Sequence, residues 1–414
     1  MADSSNRFVF FFGKNPVLSL AELANYAKTN SLNWIIEPIW PNAALVSGTI
    51  FDPSKITQRL GGTFKIAVLK HALPSLKPAD FQKILNEKTW LNLLPEKFVF
   101  AVSSLGLTPQ QEQTANEHLK IIFKAAGYKN SQKKGSNRKT ITENIASPSE
   151  ILKWNLLKNQ TDIVIAKILA QFELGYTVAV SNPNDWKFRD ENRPFKDSKE
   201  LVSIRLAKIL LNIAATKPIH TVLDPFCGYG TILQEAMLQN WNAIGIEKDQ
   251  QKVRQTEKNL KWITEKFHPK AEFQIFLGSA ENVNRVVQVP FDLVVTEPYL
   301  GPYRTKKPTI IQAGQIIVEL QTLYRAFFDS LAQKMKTGQT VCVIFPVLVP
   351  FQSPNQKIST AVFSNHFEPV NPLASFGEKF ANSFPFEYQN PNNLMKRQIW
   401  LLVKKPFSVP KPNQ

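Results

Sequence analysis

From His220 to Asp249 the chain alternates short apolar runs and acids around a glycine turn, a pattern open to few folds. His220-Thr221-Val222-Leu223-Asp224 is an apolar run ending in an acid, and Pro225-Phe226-Cys227-Gly228-Tyr229-Gly230 is a tight turn with two glycines. Thr231 to Asn240 reads as a helix, and Ala243-Ile244-Gly245-Ile246-Glu247 as a second apolar run ending in an acid. Strand, glycine turn, helix, strand opens a doubly wound sheet, whose ligand crevice lies at the carboxyl ends of its strands. Glycine at 228 and 230 lets backbone approach a ligand where a side chain would block it. Glu247, at the tip of the second strand, is placed to take two ribose hydroxyls. The G-x-G-x-x-G of a dinucleotide site does not follow; Thr231 and Ile232 come instead.

Residues 219 to about 405 continue the alternation. Gln250 to Lys266 is a helix, Phe273 to Phe276 a strand with Gly278-Ser279-Ala280-Glu281 as its exit, and Phe291 to Thr296 a fourth strand. Ile316 to Lys336 carries a helical apolar stripe through Leu320, Leu323, Phe327 and Leu331. Thr340 to Val349 and Gln398 to Val403 are the remaining strands. The fourth strand runs directly into Glu297-Pro298-Tyr299-Leu300-Gly301-Pro302. A carboxylate, a backbone carbonyl and an aromatic ring, those of Glu297, Pro298 and Tyr299, thus stand together at a strand end.

Asp224-Pro225-Phe226-Cys227-Gly228-Tyr229-Gly230-Thr231 resembles the first motif of class I S-adenosylmethionine-dependent methyltransferases, in particular those that methylate exocyclic amines of nucleic-acid bases. Their Asp/Asn-Pro-Pro-Tyr motif is similar to the stretch at 297, with Glu297 for the acid, Tyr299 for the second proline and Leu300 for the aromatic. Thr296-Glu297-Pro298-Tyr299-Leu300-Gly301-Pro302 also resembles the wording of one branch of the THUMP-bearing enzymes. Arg189-Asp190-Glu191-Asn192-Arg193-Pro194 and the helix expected over 201–215 resemble the segment ahead of the first motif in THUMP-bearing tRNA guanosine-N2 methyltransferases. Those enzymes carry prolines ahead of their Leu-Ala, where this chain reads Glu200-Leu201-Val202-Ser203-Ile204-Arg205-Leu206-Ala207.

The resemblance implies an α/β fold with a Rossmann-like C-terminal domain, mostly parallel with an antiparallel last strand. It implies S-adenosylmethionine held by Asp224, Pro225, Phe226, Gly228, Gly230, Thr231, Glu247, Lys248, Ser279 and Ala280. Ser279 stands where the family has an acid that meets the adenine amino group, so Ser279 or Glu281 takes that part. The resemblance gives catalysis to Glu297, Pro298 and Tyr299, acting on N2 of a tRNA guanosine. The Glu297 carboxylate and the Pro298 carbonyl would accept the two amine hydrogens and direct the lone pair, and the Tyr299 ring would stack on the base. The resemblance leaves room for a small activating subunit.

Residues 1–72 read as strand, helix, two strands, helix, strand, the order of a ferredoxin-like module. Residues 73–182 resemble the THUMP domain, with Ala101-Val102-Ser103-Ser104-Leu105-Gly106 in the place of a similar strand. Residues 183–218 form a linker and helix, and 406–414 a loose tail. A run from Tyr128 holds Lys129, Lys133, Lys134, Arg138 and Lys139 without an acid, which suits RNA phosphates. Arg304, Lys306 and Lys307 are candidates for the same contact; a solvated loop is the alternative. Arg189 and Arg193 stand equally between RNA contact and ion pairs with Asp190 and Glu191.

The chain has 414 residues and a formal net charge of +17, with a pI near 9.6. Such a balance favours a polyanionic partner, most simply nucleic acid. Two cysteines, Cys227 and Cys342, read as small core residues of a reduced compartment, and five histidines are scattered without metal-ligand spacing. No metal is expected. Phe8 to Phe12 is too short for a signal-peptide core, and Val341 to Val349 is too short for a membrane span and is broken by Pro346. The expectation is a cytoplasmic protein with no membrane partner. Two alternatives stay open: a DNA amino-methyltransferase, and an RNA-binding protein with a decayed methyltransferase fold.

Overall fold

The structure, a computed structural model, describes residues 7–39, 42–86, 96–133, 145–196, 202–216, 219–388 and 394–406. Two compact units emerge: Met1–Pro16 with Asn33–Lys187, and Val17–Leu32 with Phe188–Gln414.

The chain opens with β1 (Arg7–Phe12), followed by α1 (Pro16–Thr29), which from Val17 on belongs to the second unit. The first unit continues through β2 (Ile35–Ile39), β3 (Ala43–Ser47), α2 (Pro53–Arg59), β4 (Thr63–Leu73), α3 (Pro78–Asn86) and β5 (Lys97–Leu105). After these come α4 (Pro109–Ala125), β6 (Lys129–Lys133), α5 (Pro148–Lys153), β7 (Asp162–Ile168) and β8 (Gln171–Val180). Among the described residues its strands form one sheet in the order β2-β3-β1-β4-β8-β7-β5-β6.

The first four of these strands keep the βαββαβ chain order expected of a ferredoxin-like module. Yet β4 pairs β1 on one edge and β8 on the other. The stretches on either side of residue 72 therefore contribute strands to one sheet. Lys65 on β4 is fully buried, 2.5 Å from Asp162 on β7, and donates to Ser103 on β5 at 2.6 Å. A buried charge persists only where partners of this kind meet it. The cores are aromatic and branched: Phe98, Phe100, Phe123 and Leu119 around α4, and Val9, Phe11, Leu45 and Val164 around β1.

Running on from there are α6 (Pro183–Asn192), α7 (Ile204–Ala214), β9 (Thr221–Asp224), α8 (Thr231–Met237), β10 (Asn242–Glu247), α9 (Gln250–Phe267) and β11 (Phe273–Leu277). The rest comprises α10 (Val283–Val286), β12 (Leu293–Thr296), α11 (Ile310–Ala332), β13 (Thr340–Leu348), β14 (Gln356–Lys357), β15 (Phe367–Pro369), α12 (Glu378–Ala381), β16 (Phe386–Tyr388) and β17 (Met395–Lys404). The sheet order is β11-β10-β9-β12-β13-β17-β15. Strands β11 to β13 pair in parallel, and β17 runs antiparallel to β13, as expected. All nine residues of β13 are buried, which explains its unbroken apolar run.

Three features depart from the sequence reading. The Arg189-to-Pro194 stretch lies partly on a helix, α6, where a linker was expected. Helix α11 starts at Ile310, six residues early, because Thr309 and Gln312 form a reciprocal capping box. Segment 17–32 is built into the second unit. Asn25 donates to the carbonyls of Asn212 at 2.8 Å and Ile213 at 3.0 Å, and Thr29 donates to that of Ala215 at 2.6 Å. Those are carbonyls that a helix end leaves without intrahelical partners, so α1 serves as the C-terminal cap of α7.

Candidate active site

Strand β9 lies between β10 and β12. The chain leaves it in opposite directions on its two sides, which opens a crevice at the carboxyl ends of these strands. A cavity of about 320 Å³ occupies that place. It is lined from one side by Pro225, Phe226 and Gly228, from another by Glu247, Lys248, Ser279 and Ala280, and from a third by Glu297, Pro298 and Tyr299. The two motifs read from the sequence therefore meet in one space. Asp224 and Thr231 line a smaller adjoining pocket that shares Phe226, Gly228, Lys252 and Glu297 with the first.

The two glycines serve different ends. Gly228 has φ +50 and open space where a Cβ would stand, so its backbone faces the cavity bare. Its N–H donates to Glu247 Oε2 at 3.2 Å. Gly230, with φ +78, lines neither pocket, and a Cβ there would stand 2.9 Å from Thr256 Cγ2. The bare Cα of Gly230 thus lets the start of α8 pack against α9. Glu247 Oε1 also accepts from the Asp249 N–H at 2.9 Å. A carboxylate has about four lone-pair positions, so two backbone donors fix its orientation and leave acceptor capacity for hydroxyls.

Asp224 is buried, and burial pushes its carboxyl up to about 7 against the opposing effect of hydrogen bonds from Thr296 and Phe226. Thr296 Oγ1 donates to Asp224 Oδ1 at 2.6 Å, tying β12 to β9 at the crevice. The Thr231 hydroxyl accepts from Arg193 Nη1 at 3.0 Å. Ser279 donates to Glu281 at 2.9 Å, so the two candidates for the adenine contact act as a pair.

Glu297 leaves β12 one residue past its end and is nearly buried. Burial raises its carboxyl above the ordinary value, and Arg397 opposes that rise. Arg397 Nε stands 2.5 Å from Glu297 Oε1. The register explains the reach: Thr296 pairs Val343, and β17 runs past β13 with Pro346 opposite Arg397, three residues beyond that level. Tyr324 on α11, buried against Phe345, donates to the Tyr299 carbonyl at 2.6 Å. Tyr299 is 49 % exposed, with Lys248 Nζ 5.9 Å from its ring centroid. Sequence reasoning missed Arg397 and Tyr324, which sit far along the chain on elements whose pattern reads as core or edge.

The expected RNA contacts divide. Arg189 and Arg193 are a correction. Arg189 is buried and ion-paired with Glu235, and Arg193 is 2 % exposed and bonded to Asp190 at 3.0 Å. Burial and pairing inside the unit leave neither guanidinium on a surface; Arg189 pairs with Glu235, and Arg193 with Asp190, one of the two acids expected. Arg304 and Lys306 line the large cavity, and Lys307 is exposed beside them. Lys129 is exposed and 3.9 Å from Glu96. Lys133 ends β6, its side chain undescribed, and Lys134, Arg138 and Lys139 lie outside the described residues. Among the described residues no group of His, Cys, Asp and Glu is arranged for a metal, and no helix is long and apolar enough to cross a membrane.

Comparison with known proteins places these features in a methyltransferase setting. Residues 191–363 match the family described as "RMKL-like, methyltransferase domain", and residues 110–258 match one described as "DNA methylase". A tRNA (guanine(10)-N2)-dimethyltransferase of Methanothermobacter thermautotrophicus is 30% identical over 203 residues, covering 49% of this chain and 55% of that protein. The chain thus spans about half the length of that relative. Among solved structures, TrmN from Thermus thermophilus superposes with a TM-score of 0.54 at 14% identity, over 96% of this chain and 99% of that one. A possible methylase from Clostridium difficile 630 gives 0.50 at 12% identity, over 99% and 100%. These likenesses show the fold, that of a Rossmann-like methyltransferase domain.

Proposed function

We propose that the chain is an S-adenosylmethionine-dependent RNA methyltransferase that modifies the exocyclic N2 of a guanosine in tRNA. The observation that carries this reading is the meeting of Gly228, Glu247 and Ser279 with Glu297, Pro298 and Tyr299 in one cavity. The open space over Gly228 and the oriented Glu247 carboxylate suit the cofactor. Gly228 and Phe226 would bound it, Glu247 would take its ribose hydroxyls, and Ser279 with Glu281 would meet its adenine. When bound, the cofactor supplies an electrophilic methyl group on a sulfonium. The rest falls to this chain. Glu297 and the Pro298 carbonyl accept the two amine hydrogens and direct the lone pair, and Tyr299 stacks on the base. Arg304 and Lys306 at the cavity are suited to phosphate.

The tRNA target and the THUMP assignment of residues 73–182 rest on motif resemblance, on the archaeal relative and on the charge of +17. The match to the DNA methylase family at residues 110–258 favours a second reading, transfer to an amine of DNA. Incubating the protein with tRNA, or with DNA, and methyl-labelled cofactor, then identifying labelled nucleosides by mass spectrometry, separates the two. N2-methylguanosine supports the proposal. Label confined to N6-methyladenine or N4-methylcytosine of DNA replaces it, and no label in any nucleic acid points to a decayed site.

A further inference from the structure

Glu297 replaces the shorter acid of the motif it resembles, and its carboxylate stands nearly buried within electrostatic reach of Asp224. An unsupported carboxylate in such a place takes up a proton and becomes a poor acceptor for an amine hydrogen. The structure supplies support from the far end of the chain. Arg397 on β17 donates through Nε to Oε1 at 2.5 Å, the side chains being 12% and 9% exposed. Both residues line the large cavity. Among the described residues Glu297 Oε2 accepts no hydrogen bond.

We infer that Arg397 is a positioning residue for methyl transfer: its guanidinium holds Glu297 by one oxygen and leaves the other to accept the target amine. The inference rests on the proposed function and adds a residue that neither motif contains. The pair is neutral overall, so it offers the amine an oriented acceptor without an isolated buried charge. Arginine suits this better than lysine, since its planar fork fixes direction as well as charge.

The groups that bear on the ionisation of Glu297 come from several elements. Asp224 at the end of β9 and the Tyr324 hydroxyl on α11 interact with it electrostatically, Glu247 interacts with Asp224, and Lys248, Lys252 and Arg304 line the same cavity. Arg397 alone among them is bonded to the carboxylate, so its loss raises the carboxyl further above the ordinary range. The acceptor form is the ionised one. Turnover should therefore fall on the acid side, and in Arg397→Gln that limb should move to higher pH. Each unit it moves beyond the assay pH costs about tenfold in turnover.

The test has two arms. The first is the pH profile of methyl transfer in wild type, Arg397→Gln and Arg397→Lys, with Glu297→Gln alone and combined with Arg397→Gln. The expected results are an upward-shifted acid limb in Arg397→Gln, a smaller shift in Arg397→Lys, and no further loss when Arg397→Gln is added to Glu297→Gln. The second arm titrates the Glu297 carboxyl directly by carbon NMR of the full chain labelled at glutamate Cδ, the signal being assigned by its absence in Glu297→Gln. This arm needs no substrate, so it decides the role of Arg397 even if the wild type methylates nothing, the outcome that would defeat the proposed function alone. An acid limb or a Glu297 titration unmoved in Arg397→Gln, or equal losses from Arg397→Gln in both backgrounds, overturns the inference. Should Arg397→Gln fail to fold, the same readings on Arg397→Lys decide it.

Discussion

At the scale of single residues, the site is a set of carboxyl groups, each given a different environment. Glu247 is half-exposed and held by two backbone N–H groups. If it takes the ribose hydroxyls, Glu247→Ala should weaken cofactor binding by about 1.5–3 kcal/mol, the worth of hydrogen bonds to a charged group. Calorimetry with S-adenosylmethionine and its demethylated product measures this, and unchanged affinity would move the contact elsewhere. Asp224 is the opposite case, its carboxyl pushed up to about 7 by burial. The unfolded value is about 3.9, so between the two the native state holds the extra proton. Its contribution to stability is present below that range and is lost as pH rises through about 7. Asp224→Asn keeps the Oδ1 acceptor and removes the titration. Its thermal midpoint, compared with wild type, should gain from pH 5 to about pH 7 and then level off; a constant difference over that range would show Asp224 ionised throughout.

The elements show where sequence reading succeeds and where it stops. The strands and the glycine turn of the second unit were legible because β-branched runs ending in polar residues carry their pattern locally, at Val222-Leu223-Asp224 and Ile244-Gly245-Ile246-Glu247. Both motifs could be placed at strand ends on that ground alone. What supports them was not legible. Arg397 acts through the register of β17 on β13, Tyr324 through the rotation of α11, and neither leaves a periodic mark. Arg189 and Arg193 look alike in sequence to surface phosphate ligands, and only burial against Glu235 and Thr231 distinguishes them. The start of α11 was signalled by Thr309 and Gln312, although the apolar stripe begins later. Capping of α7 by α1 also depends on long-range folding. Asn25→Ala would strip partners from buried carbonyls and should destabilise the second unit by about 1–3 kcal/mol. Thermal unfolding followed by loss of cofactor binding reports on that unit, and an unchanged midpoint would make the cap dispensable.

For the whole molecule, the division of labour is between a basic chain and a cavity in its second unit. Charge argues for a polyanion, and the run from Lys129 to Lys139 is the densest basic stretch of the first unit. Reversal of Lys133, Lys134 and Arg138 to Glu should weaken tRNA binding and flatten its salt dependence by roughly one unit of slope per lost phosphate contact. An identical slope before and after would identify the run as a solvated loop. The proposed transfer depends most directly on Glu297 meeting the target amine. The deciding measurement compares single-turnover methyl transfer to tRNA, and cofactor affinity, in wild type and Glu297→Ala. Loss of one preorganised electrostatic partner typically costs about 10²-fold. The account predicts a fall in rate of that order with cofactor affinity unchanged. An undiminished rate, with the label still on guanosine N2, would contradict it.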